Sequence, residues 1–255
     1  MRTIIIGAGR GMRLEDRTAL IPKTMVSVMG SPMLEWILEA LAHAGIEPSD
    51  VVFVGGYAQE VIENAHPEFT FVTNHDWPNN NILLSLLYAR EYLGEGFIST
   101  YGDIIYSGEI VQKLVDSPHD ITLGCDTHWR RRYVGRTQHP ETDAEKLCAD
   151  GTLVTQISRR IPSEQAAGEF IGVMKMSARG AAAFMAHFDA RKAEYAGGPY
   201  REGRTWEKAY LIDLLQDMLE AGVPMHRVDT HGAYMEIDTV QDLSFAEGWW
   251  TTRPE

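Results

Sequence analysis

Four charged side chains at widely separated positions are the first candidates for chemistry: Arg13, Lys23, Asp103 and Asp238. Arginine and lysine grip phosphate oxygens. Two carboxylates from distant parts of a chain can hold one Mg²⁺, because that ion takes one or two carboxylates plus substrate oxygens. The two cations belong to the run Ile4-Ile5-Ile6-Gly7-Ala8-Gly9-Arg10-Gly11-Met12-Arg13-Leu14, which continues to Ile21-Pro22-Lys23. Glycines placed after a strand let backbone N–H groups approach phosphate oxygens. Together these residue types describe metal-assisted chemistry at a phosphate. Each has a plainer reading as well. The glycines can make a tight turn with no ligand, Asp103 can be a turn residue, and Asp238 can cap a following helix.

The glycine run excludes two better-known phosphate loops. A dinucleotide fingerprint, GxGxxG, would need glycine where Met12 stands, and a long helix where Pro22 falls. A P-loop needs GxxxxGK[ST], and no such run occurs. What remains is G-x-G-x-x-x-R-L followed by P-K, which resembles the phosphate loop of nucleotidyltransferases; that resemblance implies that Arg13 and Lys23 grip a triphosphate while Gly7, Ala8, Gly9 and Gly11 pass beneath it.

In this pattern the chain resembles the sugar-phosphate and phosphocholine nucleotidyltransferases, over most of its length. Two segments are similar to the phosphocholine cytidylyltransferase branch: Asn74-His75-Asp76-Trp77-Pro78-Asn79-Asn80-Asn81-Ile82-Leu83-Leu84-Ser85-Leu86, and Glu236-Ile237-Asp238-Thr239-Val240-Gln241-Asp242. The resemblance implies a Mg²⁺ held by Asp103 and Asp238, with Arg13 and Lys23 as catalytic cations. It implies a nucleotide bound by the glycine loop, Gly56, Asn80, Asn81, Ser85 and Gly102. Asparagine amides offer donors and an acceptor to a base or ribose, although Asn80 or Asn81 can equally cap a helix. The choice of cytosine over other bases rests on the branch resemblance alone.

Those residues must be positioned by alternating strands and helices. Apolar runs at 3–6, 51–54, 69–73, 97–101 and 121–125 read as strands. Helical spacing marks 32–44, 58–65, 82–92 and 110–115. Asp103 then lies at the C-terminal end of a strand, where open parallel sheets bind ligands. Farther on, 146–148 and 153–157 read as a hairpin around Asp150-Gly151, 170–176, 225–228 and 234–237 as strands, and 178–195, 205–220 and 240–250 as helices. The expected fold is α/β, a Rossmann-like, mostly parallel mixed sheet with helices on both faces and a small inserted acceptor-binding lobe. The whole chain reads as one domain, with a nucleotide part at about 1–125, an acceptor lobe at about 126–205, and a C-terminal part, 206–255, returning to the metal site. Residues 196–204 read as a flexible loop, a candidate lid or dimer contact. Trp249-Trp250 suits either a partner subunit or the chain's own core.

For the acceptor, the densest basic run is Trp129-Arg130-Arg131-Arg132-Tyr133-Val134-Gly135-Arg136. Clustered arginines suit a phosphate or carboxylate, or else a solvated loop. By resemblance Glu169 lies near the acceptor, and Trp206 and Asp213 fall on a helix that contributes a cation site in choline-specific relatives. Trp206 can instead be core. The acceptor residues expected are therefore Tyr133, Arg136, Glu169, Trp206 and Asp213. The arginines argue against phosphocholine itself and leave a phosphonate, a phosphorylated amino acid or amide, or a sugar phosphate. His139, beside Pro140, can be a ligand contact but reads more simply as a loop residue.

The net charge of −13 speaks against nucleic acid as a partner. Two cysteines are too few for a disulfide framework. No apolar run approaches the ~20 residues of a membrane span, and the N-terminus reads as a strand rather than a leader, so a cytoplasmic enzyme, possible homodimer included, is expected. The expected reaction passes CMP from CTP to a small phosphorylated or phosphonate acceptor with loss of pyrophosphate. A sugar-1-phosphate uridylyl- or thymidylyltransferase is the nearest rival. An NAD(P)-dependent oxidoreductase and a non-catalytic nucleotide-binding protein are the alternatives of another kind.

Overall fold

The structure, a computed structural model, describes residues 1–202 and 205–252. The 196–204 loop therefore lies partly outside the described residues.

The chain opens with β1 (Arg2–Ile6), buried from Thr3 onward. The glycine loop leads into two short 3-10 turns, Met12–Thr18 and Lys23–Met25, and a small hairpin of β2 (Ser27–Val28) and β3 (Ser31–Pro32). Helix α1 (Met33–His43) buries Met33, Leu34, Ile37, Ala40 and Leu41, the stripe expected of one helical face. The chain then turns at Gly45, with φ +73°. β4 (Val51–Gly55) is buried at every position, as befits an inner strand covered on both faces. α2 (Gln59–Ala65), β5 (Thr70–Thr73), α3 (Ile82–Tyr88), β6 (Gly96–Tyr101), β7 (Ile104–Tyr106), α4 (Gly108–Asp116) and β8 (Ile121–Asp126) follow. The second half adds the hairpin β9 (Lys146–Asp150) and β10 (Leu153–Ile157), then β11 (Gly168–Ser177) and α5 (Ala178–Tyr195). It ends with α6 (Leu211–Glu220), β12 (His226–Thr230), β13 (Tyr234–Glu236) and α7 (Val240–Thr251).

Nine strands form one sheet in the order β5-β4-β1-β6-β11-β8-β12-β10-β9. The pairs from β5 to β6 are parallel, as is β8 with β12. β11 runs antiparallel to both β6 and β8. The sheet is mixed, with one core packed around α3, α5 and α6 and another around α1 and α4. A third cluster packs under α7 and includes Trp249 and Trp250, so the tryptophan pair lies on the chain's own core. Residues 126–205 supply three strands of the main sheet, β9, β10 and β11.

Two expected helices are shorter. The 82–92 segment is helical only to Tyr88, and 90–92 form a separate turn. The 205–220 segment is broken: Trp206–Lys208 is a 3-10 turn, and α6 starts at Leu211. Ala209 and Tyr210 are extended between them, which frees Tyr210 to serve as the N-cap. β11 is bulged against β8, since Phe170 faces Cys125 and Met174 faces Leu123, four steps along one strand matching two along the other. Against β6, its residues Val173 to Ser177 keep unbroken register.

Candidate active site

The two aspartates meet because of a small local sheet. β7 begins just after Asp103 and β13 ends just before Asp238. They pair antiparallel, with Glu236 opposite Ile104, and the Ile237 N–H donates to the Asp103 carbonyl at 3.0 Å. This closure sets the carboxyls of Asp103 and Asp238 around one point, which the Lys23 ammonium occupies. Lys23 Nζ donates to Asp103 Oδ2 at 2.7 Å and also to Asp238 Oδ1. Arg13 Nη2 donates to Asp238 Oδ2 at 2.6 Å. The Asp242 side chain fixes the approach to α7 by accepting from the N–H groups of Asp238 and Thr239 at 2.9 and 2.7 Å. The helix cap foreseen at Asp238 is thus made by Thr239 with Asp242, which leaves Asp238 for the cleft.

Burial alone would discharge Lys23, but Asp103 and Asp238 outweigh it and hold the ammonium charged. Burial also opposes the Asp238 anion. Lys23 first, then His139 and Arg13, pull its pKa well below the ordinary aspartate value. Glu236, beside them, is pushed up to about 8, by burial and then by Asp238. Two carboxylates converging on one cation form a hard, all-oxygen donor pair, and that donor set fits Mg²⁺.

Asp103, Asp238, Lys23 and Arg13 share a cleft of about 530 Å³ with the glycine loop. Of the expected nucleotide residues, Gly7, Ala8, Gly9, Gly11, Asn80, Asn81, Ser85 and Gly102 line it. The loop is tied to the sheet: Gly7 N–H donates to the Val54 carbonyl at 3.0 Å and Gly102 N–H to the Ile6 carbonyl at 2.9 Å. A Cβ on Gly7 would come within 2.6 Å of Phe53 Cζ, and one on Gly102 within 2.8 Å of Thr24 Oγ1, so the two backbones can lie flat under a ligand only as glycine. Gly56 stays outside the lining. It is the floor beneath Trp77, whose ring takes its place at the cleft and packs edge-on to Tyr57, with centroids 5.7 Å apart. Asn81 caps α3, its Oδ1 accepting from Ile82 N–H at 2.9 Å. Asn80 and Asn74 exchange amide hydrogen bonds at 2.9 Å in both directions, and Ser85 Oγ accepts from Asn74 at 2.9 Å. Asn74 is therefore the buried centre of a polar network that holds Asn80 and Ser85 at the cleft wall.

The other end of the cleft differs from the expectation. The arginines of residues 130–136 do not face it. Arg130 and Arg131 are exposed. Arg132 is buried against Asp126 and Glu169, and Arg136 Nε donates to Asp242 Oδ1 at 2.6 Å. Each buried arginine has its own counter-ion, so the run braces the site instead of meeting the acceptor. Tyr133 likewise stands behind the wall, donating to Glu169 Oε1 at 2.8 Å. Trp206 and Asp213 do not reach the cleft. Trp206 packs on Phe188 and Tyr200, with centroids 5.3 and 4.9 Å away. Asp213 caps α6, accepting from the N–H of Tyr210 at 2.8 Å and of Glu202 at 3.0 Å. Both serve structure because the break at Ala209 and Tyr210 turns this segment inward.

Of the expected acceptor residues, Glu169 alone lines the cleft. It is joined by Glu145, Glu236 and His139, and by the rings of Tyr101, Phe170, Tyr210 and Tyr234. Glu145 is pushed up to about 8 by burial, against the opposing effect of Arg159 and the hydrogen bond from Tyr101, 3.1 Å long. Glu169 is raised by burial too, in part offset by Arg132. Among the described residues, Arg159 is the one arginine besides Arg13 lining this cleft. It pairs with Asp143 at 2.6 Å and lies over Tyr210, 4.9 Å from the ring centroid. Sequence reasoning missed Glu145, Arg159, Tyr210 and Tyr101, since nothing in their local spacing sets them apart. His139 was readable as a loop residue, yet it is buried within 3.1 Å of Asp238.

The chain is similar to several known nucleotidyltransferases. The chain is 25% identical over 253 residues to the CTP:phosphoglutamine cytidylyltransferase of Campylobacter jejuni, covering 95% of this chain and 98% of that one. It is 35% identical over 111 residues to the 2-aminoethylphosphonate cytidylyltransferase of Lancefieldella rimae, a match spanning 42% of this chain and 44% of that protein. The solved CTP:phosphocholine cytidylyltransferase of Streptococcus pneumoniae shares the fold, with a TM-score of 0.69 at 21% identity over 97% of both chains. The MobA-like NTP transferase domain matches residues 3–171, and the chain belongs to that family of nucleotidyltransferases.

Proposed function

We propose that the protein transfers CMP from CTP to a small phosphorylated or phosphonate acceptor that also carries an amine, releasing pyrophosphate, with Mg²⁺ as the cofactor. The observation that carries this reading is the placement of Lys23, Asp103 and Asp238 between a glycine loop and an acidic, aromatic pocket in one cleft. The pocket supports the amine: Glu145 and Glu169 beside the rings of Tyr101 and Phe170 suit a cationic group, whose arrival would draw the Glu145 carboxyl back to its charged form. Cytosine is supported by the relatives named as cytidylyltransferases.

Asp103 and Asp238 would hold the metal, which when bound polarises the α-phosphate and neutralises its charge. The protein's own residues do the rest by positioning and charge. Glycine-loop N–H groups bear the phosphates. Arg13, with 56% of its side chain exposed, has the freedom to leave Asp238 for the departing pyrophosphate, and Lys23 holds the α-phosphate side. The acceptor oxygen attacks phosphorus in line with the leaving group. A phosphate with a second pKa of about 6 is already a dianion at neutral pH and needs no general base. We further assign residues 1–125 to the nucleotide and about 126–205 to the acceptor.

The test is pyrophosphate release with Mg²⁺, crossing CTP, UTP, dTTP, ATP and GTP with phosphorylated amines, amides, sugars and phosphonates. Turnover with CTP and an amine-bearing acceptor is expected, and Asp103→Asn should fold but not turn over. Turnover confined to UTP or dTTP with a sugar 1-phosphate would overturn the base and acceptor assignments. Release by no pair would make the protein a binder.

A further inference from the structure

The cleft holds one nitrogen ligand that the proposed reaction does not use. His139 is 5% exposed. Its Nδ1 lies 3.1 Å from Asp238 Oδ2 and 3.4 Å from Glu236 Oε2. That nitrogen is buried and makes no hydrogen bond, although two carboxylates stand within reach, so the imidazole is not aimed to share a proton with either. The three ligand atoms lie within 4.8 Å of one another. Around an ion with bonds of ~2.1 Å, neighbouring ligands sit ~3.0 Å apart in an octahedron and ~3.4 Å apart in a tetrahedron. The two His139 separations span that range. On its far side, His139 Nε2 faces Asp143 Oδ2 at 3.7 Å, and Arg159 anchors that carboxylate at 2.6 Å. A carboxylate behind a ligating histidine is the usual means of fixing its ring.

We infer that His139, Glu236 and Asp238 form a mixed nitrogen–oxygen site for a first-row transition divalent cation, for which Mn²⁺ serves as the paramagnetic probe. The site shares Asp238 with the all-oxygen pair but does not include Asp103. An imidazole ligand favours such ions over Mg²⁺, which prefers oxygen alone. Binding displaces Arg13 from Asp238 Oδ2, which that exposed side chain can yield.

The experiment is Mn²⁺ titration of the full chain without nucleotide, read by calorimetry and by pulsed electron paramagnetic resonance. The bound ion should show ¹⁴N coupling from an imidazole. His139→Ala should abolish that coupling and weaken Mn²⁺ binding by ~10-fold or more, while Mg²⁺ binding moves by less than about twofold. Asp103→Asn should keep the coupling, and this separates failure of the present site from failure of the proposed catalytic one. If His139→Ala does not fold, His139→Gln serves, with the same expected loss of coupling. Mn²⁺ bound without ¹⁴N coupling, unchanged affinity in a folded His139 variant, or no Mn²⁺ binding by the parent would each overturn the assignment.

Discussion

Replacing Lys23 with methionine keeps the reach of the side chain and removes the charge that two aspartates share. The Lys23 side chain is 10% exposed, Asp238 8% and Asp103 29%. Removing one partner of a buried ion pair costs ~3–5 kcal/mol, because the remaining charge is left uncompensated. Water reaches Asp103, and Arg13 still contacts Asp238, so the low end applies, about 3 kcal/mol. For a chain of this length each kcal/mol moves the melting midpoint by ~2–4 °C, so Lys23→Met should melt roughly 6–12 °C lower. The pH dependence follows from the signs. Asp238 is depressed below its ordinary 3.8, so its contribution is present above that pH and is lost as pH falls through the folded value. Lys23 is raised above its ordinary 10.5, so its contribution is present below that pH and is lost as pH rises past it. The difference between parent and variant should therefore be a plateau across neutral pH that shrinks at both extremes. Millimolar Mg²⁺ should recover part of the loss by supplying the missing positive charge. Turnover should fall by about 10²–10³, the usual effect of deleting one preorganised charge contact. Scanning calorimetry and pyrophosphate release measure both. A midpoint within about 2 °C of the parent, together with turnover within about threefold, would refute the view that Lys23 organises the two acids.

Gly56→Ala would bring a Cβ to 2.7 Å from Trp77 Cδ1 and 2.8 Å from the Ala8 carbonyl oxygen. The backbone cannot yield, so a loss of ~1–3 kcal/mol is expected, with weaker nucleotide binding as Trp77 shifts; thermal melts and a nucleotide titration check it. Asn80→Ala would strand the Asn74 amide in a buried network at a cost of ~1–3 kcal/mol, read as a lower urea midpoint. For Glu145 the folded pKa of about 8 lies above the ordinary 4.5, so the parent loses stability as pH rises between those values. Glu145→Gln cannot ionise; its melting midpoint should match the parent at pH ~5 and exceed it at pH ~8.5.

Much of this was legible in the sequence where a residue's role is local. The glycine loop, most of the alternating elements and the Asp150-Gly151 hairpin depend on neighbours in the chain, and apart from the shortened 82–92 and 205–220 helices they fold as read. The charge cluster at 130–136 misled because its counter-ions are mostly remote: Arg132 pairs with Glu169 as well as nearby Asp126, and Arg136 with Asp242. Spacing carries no trace of such partners. The break after Trp206 was hidden by an apolar pattern that fits one helix of 205–220 equally well. Glu145 and Arg159 gain their place from the β9–β10 hairpin folding back onto the main sheet, a tertiary event that no window of sequence contains. His139 was discounted for its proline neighbour, although Pro140 only sets the chain's direction and leaves the ring free to point inward.

The bulge in β11 bears on how such an enzyme can diversify. Ahead of it, Glu169 and Phe170 line the cleft. After it, Val173 to Ser177 hold strict register with β6, the strand that leads to Gly102 and Asp103. Slack between these two parts is already built in, and Gly172, with φ +76°, supplies the pivot. Substitutions or small length changes before the pivot can reshape this end of the cleft without re-registering the strand that leads to Asp103. One way of handling a nucleoside triphosphate can in this manner be inherited intact while the molecule it is joined to is exchanged.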